Sequence, residues 1–281
     1  MTKAHTVVEF PVRSAQPLPT GSAEILKLDG VSFAYDDRTI LNSVAFSIRR
    51  GEIVSLLGPS GCGKTTILNI IAGFLAPTSG YAFIAGTEIT GPGPDRGVVF
   101  QSYALFDWMT VEDNIAFSLI CARRPAAERR EVARRMAALV GLTGSERAYP
   151  YQLSGGMRQR CGLARVLAAN PKLMLMDEPF AAVDVQTREA LQEEILRIQQ
   201  ETGCTIVFVT HSIEEAVFLS HRIFLLTDLA SGLFLEFDVD LPQPRWSAEN
   251  RLHENFIALR EKIYRGMRKA EQPQRRTEDV S

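Results

Sequence analysis

The stretch EIVSLLGPSGCGKTT, residues 52–66, decides the fold of this chain. Its first half is a continuous apolar run, which is typical of a strand covered on both faces of a parallel sheet. Its second half matches G-x-x-x-x-G-K-[ST], a pattern whose glycines let backbone N–H groups curl around a phosphate. Apolar residues then recur at helical spacing, at Ile67, Ile70, Ile71 and Phe74. A strand, a glycine loop and a helix in this order predict a phosphate-binding loop.

The residue types of this loop fit a nucleoside triphosphate. Lys64 supplies a mobile point charge for the β- and γ-phosphates, and Thr65 offers a hydroxyl to Mg²⁺. Cys62 is interpreted as a neutral filler whose backbone matters, not as a catalytic thiol. The predicted nucleotide-binding residues here are Gly58, Pro59, Ser60, Gly61, Cys62, Gly63, Lys64, Thr65 and Thr66.

Outside the loop, strand and helix patterns alternate along the chain. A hairpin-like pair is predicted at 25–48, a strand and its Gly-capped helix at 172–179 and 185–203, and a last amphipathic helix with Leu252, Phe256, Leu259 and Ile263 inward. This order predicts an α/β fold with a mostly parallel sheet. We expect residues 1–22 to be a flexible extension, 23–240 to be the main domain, and 241–281 to be a C-terminal helix with a polar tail that is mobile beyond Arg265.

Two further segments end in residues that can act on phosphate. LMLMDEP, residues 173–179, is an apolar strand pattern that closes on two acids. Because successive strand residues point to opposite sides, Asp177 is assigned to Mg²⁺ and Glu178 to the attacking water as general base. His211 follows the apolar run TIVFVT and precedes the capping box Ser212-x-x-Glu215. Alone it reads as an ordinary strand-end histidine, but beside a phosphate loop and an acid pair we interpret it as a γ-phosphate sensor.

Composition limits the class of protein. The formal net charge of −2 and the pI near 6.1 give no general reason to expect nucleic-acid binding. No apolar run approaches the length of a membrane span, and no leader-like segment begins the chain. The 4 cysteines form neither a CxxC pair nor a metal-binding spacing, which indicates reduced thiols. We therefore expect a soluble cytoplasmic protein.

A second candidate phosphate-binding segment is LSGGMRQR, residues 153–160. Ser154 stands where a helix N-cap belongs, and Gly155 and Gly156 leave the backbone bare. Taken alone, the segment would be a helix cap and nothing more. The presence of two phosphate-binding segments, residues 58–66 and 153–160, raises the question of whether both bind the same ligand.

The order of all these motifs resembles the nucleotide-binding subunit of an ABC transporter. The shared segments are VSFAY, GPSGCGKTT, GVVFQ, LSGGMRQR, LMLMDEP, FAAVD and VTHS, and they span about residues 25–227. In that family two subunits stack head to tail, so the LSGG of one closes over the ATP held by the P-loop of the other. The resemblance implies a P-loop NTPase (RecA-like) core with an N-terminal antiparallel β part and a small helical lobe at about 102–160, and it makes residues 23–240 the ABC ATPase domain. It also implies an ATPase that uses ATP and Mg²⁺, with both phosphate-binding segments on one nucleotide.

The resemblance also assigns residues. Tyr35 would stack on adenine, Gln101 would sense the γ-phosphate and Mg²⁺, and Ser154, Gly155 and Gly156 would close on the partner's ATP. Asp184 would contact the facing P-loop, although a plain N-cap for the helix at 185–202 remains open. FAAVD and FDWM depart from the usual family patterns, which puts details of the loop at 180–184 and of the docking surface in doubt.

Within the family, the longer segments look most like importers of nitrate, sulfonate and taurine. The segments are RGVVFQSYALFDWMTVEDN, YPYQLSGGMRQR, DEPFAAVDVQTRE and THSIEEAVFLSHRI. This branch implies a second copy of the chain, integral membrane permease subunits and, indirectly, an extracytoplasmic solute-binding protein. It also implies a peripheral position at the cytoplasmic face of the inner membrane. An ABC exporter half and a non-transport ABC ATPase are the alternatives.

Three aromatic residues crowd the segment after Gln101: Tyr103, Phe106 and Trp108. Phe106 is expected to pack inside the helical lobe. For Tyr103 and Trp108 two readings are open, packing in the lobe or lining a groove that receives a short cytoplasmic helix of the permease, where the family resemblance places that groove.

Overall fold

A computed structural model describes residues 23–100, 104–181, 184–231 and 233–271 of the protein. The expected extension at 1–22 and the predictions for Gln101 and Tyr103 lie outside these residues. The strands are β1 (Glu24–Tyr35), β2 (Arg38–Arg49), β3 (Ile53–Leu57), β4 (Ser79–Ile84), β5 (Thr87–Glu88), β6 (Arg96–Val99), β7 (Leu173–Asp177), β8 (Thr205–Thr210), β9 (Arg222–Asp228) and β10 (Leu233–Asp238). The helices are α1 (Lys64–Ala72), α2 (Val111–Cys121), α3 (Ala126–Leu139), α4 (Gly155–Ala168), α5 (Val185–Thr202), α6 (Ile213–Leu219) and α7 (Glu254–Glu271).

The main sheet has six strands in the order β10-β9-β3-β8-β7-β6. Its strands are parallel from β9 to β6, and β10 pairs antiparallel with β9 at one edge. Every residue of β3 and β8 is buried, because helices or the second sheet cover both faces. The predicted mostly parallel sheet is confirmed.

A second, antiparallel sheet in the order β2-β1-β4-β5 packs against the first. Its β1–β2 hairpin occupies the segment that the sequence predicts as a hairpin. Arg222, a buried residue of β9, joins the two sheets: its guanidinium donates to the Ser47 carbonyl oxygen at 2.9 Å and lies 3.3 Å from the buried Glu52 carboxylate. A paired and hydrogen-bonded charge of this kind fixes one sheet relative to the other.

Helices α2, α3 and α4 form the helical lobe beside the main sheet. The buried Asn114 holds the incoming chain, because its Oδ1 accepts from Phe106 N at 2.9 Å and its amide donates to the carbonyl oxygens of Phe106 and Met109 at 3.1 Å. At the base of the lobe Val166 of α4 fills the space where Gly97 of β6 has no side chain. The lobe is therefore in direct contact with an edge strand of the sheet.

The C-terminal segment folds back onto this core. Phe256 and Ile263 of α7 belong to the same buried cluster as the central strands. The buried Arg245 donates to the carbonyl oxygens of Phe218 and Ser220, at 3.1 and 2.8 Å, and so satisfies the end of α6. Helix α7 continues past Arg265 to Glu271, where the sequence predicts a mobile tail.

Two apolar residues lie outside the helix faces that periodicity predicts. Helix α1 ends at Ala72 because Gly73 adopts a left-handed φ of 82°, so Phe74 is 48% exposed instead of buried. Leu252 precedes α7 in a short 3₁₀ turn and is 80% exposed. Within the described residues, no helix is both long and apolar enough to cross a bilayer.

Candidate active site

The candidate site lies where three neighbouring strands of the main sheet end. In the ladder, Leu57 of β3 pairs with Thr210 of β8, and Asp177 of β7 pairs with Val209 of β8. Since the carboxyl ends of parallel strands meet at one edge, the segments that follow them are brought together. These segments are the glycine loop, the acid pair and the histidine, as the sequence predicts.

The glycine loop, residues 58–63, needs glycine at specific positions. A Cβ at Gly58 would collide with the backbone oxygen of Leu226 in β9. Gly61 and Gly63 adopt φ angles of 82° and 102°, which residues with a side chain rarely adopt. The loop leads into the N-terminus of α1, where unpaired N–H groups favour an anion. This cradle fits a phosphate chain.

Lys64 is buried within the loop. Its ammonium donates to the carbonyl oxygens of Gly58 and Pro59, at 2.8 and 2.7 Å. Neutral carbonyls orient the cation without cancelling its charge, so the loop keeps a positive group at the start of α1. The Cys62 sulfur lies 4.0 Å from the same nitrogen. Burial raises the pKa of the Cys62 thiol, which agrees with a neutral filler.

Asp177 and Thr65 form an oxygen pair beside this loop. Thr65 of α1 lies near enough to the Asp177 carboxylate of β7 to favour its charged form, although the two residues are far apart in sequence. Burial, and then the nearby Glu178 carboxylate, raise the pKa of Asp177, while Lys64 and Thr65 oppose the shift. A carboxylate and a hydroxyl next to a phosphate cradle are hard oxygen donors, which suit Mg²⁺.

Glu178 and His211 meet at the end of β7 and β8. The strand ends at Asp177 and not at Pro179 as the sequence suggests, because Glu178 adopts a left-handed φ of 43°. Its N–H donates to the Val209 carbonyl oxygen at 3.1 Å, which fixes this turn. The different directions of Asp177 and Glu178 therefore come from a turn and not from strand alternation. His211 Nδ1 lies 3.4 Å from Glu178 Oε1.

The second phosphate-binding segment, LSGG at residues 153–156, leads into α4. Ser154 Oγ accepts from Met157 N at 3.3 Å, so Ser154 is the N-cap of this helix. The two glycines that follow differ. A Cβ at Gly155 would have no neighbour within 4 Å, whereas one at Gly156 would lie 2.8 Å from Thr187 Cγ2 of α5. Gly156 thus allows α4 and α5 to approach, and Gly155 leaves bare backbone on the surface.

Asp184 and Tyr35 complete the predicted set. Asp184 Oδ1 accepts from Thr187 N at 3.0 Å, so it caps α5, and this hydrogen bond lowers the pKa of Asp184. The contact of Asp184 with a facing P-loop stays a prediction. Tyr35 is exposed at the end of β1, edge-on to Phe33 with ring centroids 4.8 Å apart. One face of an exposed ring is the surface that a base can stack on.

Two buried polar residues near His211 have roles that the sequence did not reveal, since Thr210 was given no role and Glu215 only a helix-capping one. Thr210 and Glu215 are 2% and 9% exposed. The predicted capping box is only half present, because Ser212 Oγ accepts from Glu215 N at 3.3 Å but the Glu215 carboxylate turns to the Thr210 hydroxyl instead. The available signal was a threonine at the carboxyl end of a strand whose four central residues are all apolar.

Comparison with known proteins identifies the family of this chain. The family model described as "ABC transporter" matches residues 41–181. The chain belongs to the ABC transporter family. It is 43% identical over 243 residues to the taurine import ATP-binding protein TauB of Escherichia coli K12, covering 85% of this chain and 95% of that protein. It is 46% identical over 226 residues to the nitrate import ATP-binding protein NrtC of Synechococcus elongatus, covering 79% of this chain and 34% of NrtC.

A solved structure is also similar to this chain. The dimeric post-hydrolysis structure of the ATP-binding cassette MJ0796, bound to ADP and Pi, superposes with a TM-score of 0.67 at 33% identity, over 77% of this chain and 99% of that one. The ABC fold, the ATP-binding and ATPase class, and the importer branch expected from the sequence are confirmed.

The difference between the two glycines of α4 is testable. Gly156→Ala should leave the protein less stable than Gly155→Ala by roughly 1–3 kcal/mol, because the added methyl group would lie 2.8 Å from Thr187 Cγ2, so Thr187 or α5 must shift. Gly155→Ala should keep or slightly raise the stability, since alanine favours helix and meets no neighbour. Denaturant unfolding of both variants measures this. Equal destabilisation by the two substitutions would contradict the separate roles.

Proposed function

We propose that this chain is the ATP-hydrolysing subunit of an ABC importer and that Glu178 and His211 act on the water that attacks ATP. The observation that carries this proposal is the 3.4 Å approach of His211 Nδ1 to Glu178 Oε1, at the strand edge that also carries Lys64 and the Asp177–Thr65 pair. A base, a cation and a hard-oxygen donor set at one edge are what phosphoryl transfer to water requires.

Each group has one task in the proposed reaction. Tyr35 stacks on adenine, the glycine loop binds the phosphates through its N–H groups, and Lys64 contacts the β- and γ-phosphates. Thr65 and Asp177 would hold Mg²⁺, with Gln101 as a further ligand implied by the family resemblance. Mg²⁺ bound there would supply positive charge against the β- and γ-phosphates.

Glu178 is the proposed general base. It takes a proton from a water molecule as the water oxygen attacks the γ-phosphorus, and the bond from that phosphorus to the β-phosphate oxygen breaks to give ADP and phosphate. His211 keeps the water and the Glu178 carboxylate in line with that bond. The left-handed turn at Glu178 is held by Val209, so the carboxylate is aimed before ATP binds.

The two phosphate-binding segments are proposed to bind the same ATP, each segment coming from a different copy of the chain. Ser154 and the bare backbone of Gly155 would close over the nucleotide bound by the partner's glycine loop, and Asp184 would contact that loop. The dimeric relative bound to ADP and Pi supports this arrangement. Because only the triphosphate reaches both protomers, ATP would shift the equilibrium towards the closed dimer.

The transported solute is proposed to be nitrate, a sulfonate, taurine or a similar small solute. The import of nitrate by NrtC and of taurine by TauB supports this class. The chain would work at the cytoplasmic face of the inner membrane with integral permease subunits and, indirectly, an extracytoplasmic solute-binding protein. It would not bind nucleic acid.

Trp108 is the proposed contact to the permease. Phe106 packs inside the lobe, with its ring centroid 4.4 Å from that of Phe117 and 5.4 Å from the guanidinium of Arg165. Trp108 lies on top of Phe106 and is 73% exposed. A large exposed aromatic residue on a rigid base is typical of an interface anchor.

Hydrolysis should depend on Glu178 after ATP has bound. Glu178→Gln should keep ATP binding but lower turnover by roughly 10²–10⁴-fold, the usual contribution of a general base. Lys64→Ala should instead weaken ATP binding, because a charge-assisted phosphate contact is lost. Steady-state ATPase and equilibrium nucleotide binding separate the two effects. Turnover of Glu178→Gln equal to wild type would disprove the assignment.

Shared sites can be tested by mixing inactive chains. Lys64→Ala and Ser154→Arg should each be nearly inactive alone, whereas a heterodimer of the two contains one intact composite site. ATPase activity of the mixture should therefore rise above that of either parent. Mixtures that stay inactive over the full range of ratios, with both chains folded, would contradict the composite site.

Docking at Trp108 should matter only in the complex. Trp108→Ala should leave ATPase of the isolated subunit within about a few-fold of wild type but impair assembly with the permease or solute-stimulated ATPase. Tyr264→Ala, which removes an exposed aromatic residue of α7, is the matched control and should leave both unchanged. Coupled transport that survives Trp108→Ala would refute the docking role.

A further inference from the structure

The loop that carries His211 is held on both sides by a single hydroxyl group. Thr210 Oγ1 lies 2.5 Å from Glu215 Oε2 and accepts a hydrogen bond from Ser212 N at 3.0 Å. Thr210 is the last residue of β8, and Ser212 caps α6. The Thr210 hydroxyl therefore bridges the residues before and after His211.

Glu215 determines which hydrogen bond the Thr210 hydroxyl donates and which one it accepts. A threonine hydroxyl has one proton to donate, and a carboxylate can only accept. Donation to Glu215 leaves the hydroxyl lone pairs for Ser212 N, so both hydrogen bonds are satisfied at once. The short distance between Thr210 and Glu215 is typical of a charge-assisted hydrogen bond.

The second oxygen of Glu215 faces α5. Glu215 Oε1 lies 3.9 Å from Arg188 Nε, and Arg188 N donates to the Asp184 carbonyl oxygen at 2.9 Å in the first turn of that helix. The preceding residue, Thr187, is the one that contacts the Gly156 position of α4. One buried carboxylate thus stands between the His211 loop and the helix start that carries Asp184.

The Glu215 carboxylate occupies a buried position that disfavours its charge. Burial raises the pKa of Glu215, since removing a charge from water is unfavourable, and the Glu178 carboxylate raises it further. Thr210, Arg188 and His211 oppose that shift, in this order. An apolar side chain of similar size would avoid the cost of burying the charge, but it could not accept a hydrogen bond.

We propose that Glu215 is a positioning residue for ATP hydrolysis. It holds the Thr210 hydroxyl, which fixes the 210–212 loop so that His211 stays against Glu178, and its contact with Arg188 ties this loop to the first turn of α5. The inference rests on the hydrolytic roles proposed above for Glu178 and His211.

The first test compares two threonines of the same strand. Thr210→Val is isosteric and removes the hydroxyl, and it should lower kcat of the full chain about tenfold, as expected for the loss of one net hydrogen bond, with KM for ATP unchanged. Thr210→Ser keeps the hydroxyl and should retain kcat within about twofold. Thr205→Val is the matched control: Thr205 is equally buried at the other end of β8, where its hydroxyl accepts from Gly51 N at 2.9 Å.

Thr205→Val should lower stability without lowering kcat. Wild-type kcat in Thr210→Val, or an equal loss of kcat in Thr205→Val, would overturn the proposal. If Thr210→Val does not fold, Glu215→Gln and Glu215→Met replace it. The glutamine carbonyl still accepts from Thr210 and should retain most of the kcat, whereas methionine should lose it. The same kcat in both variants would overturn the proposal as well.

A double-mutant cycle with His211→Ala separates positioning from general destabilisation. If Glu215 and Thr210 act through His211, then Thr210→Val should cause no further loss of kcat once His211 is alanine. Losses that add in full would overturn the proposal. Wild-type turnover of His211→Ala would instead refute the proposed hydrolytic role of the histidine itself, so the two failures are distinguishable.

Discussion

The parallel pairing of β3, β8 and β7 is the constraint on which the rest of the structure depends. These strands are apolar along nearly their whole length, so they can exist only in the middle of a sheet that is covered on both faces. Parallel strands that lie side by side end at the same edge. Groups from three distant parts of the sequence therefore come together because the strands that precede them are paired.

The chemistry at this edge depends on how each strand stops. After β3 the chain turns through glycines, after β7 through a left-handed glutamate, and after β8 through a loop held by a threonine hydroxyl. Each stop leaves backbone N–H groups or side chains that regular pairing no longer uses. Helix starts provide such groups as well: Ser154 and Asp184 each cap a helix and also present oxygen atoms at the surface.

Local patterns were enough to predict the glycine loop, the acid pair and most elements, because each is written in consecutive residues. Contacts between elements were not predictable in this way. Gly155 and Gly156 are identical letters, and only the position of Thr187 distinguishes them. Periodicity predicted that Phe74 and Leu252 are buried, because it does not detect where a helix begins or ends. A glycine cap ends α1 before Phe74, and Leu252 lies in a 3₁₀ turn that precedes α7. The Thr210–Glu215 contact depends on the angle at which α6 leaves β8, which no short pattern encodes.

The two tryptophans of the chain give the protein a built-in pair of fluorescent reporters. Trp108 stands in solvent on the helical lobe, while Trp246 is partly buried against the core, with the Arg197 guanidinium 5.8 Å from its ring. A dissolved collisional quencher such as iodide reaches the first ring far more readily than the second. The fraction of the fluorescence that iodide quenches therefore reports the exposure of Trp108 in the unlabelled chain. A decrease in that fraction shows that this surface of the lobe has become covered.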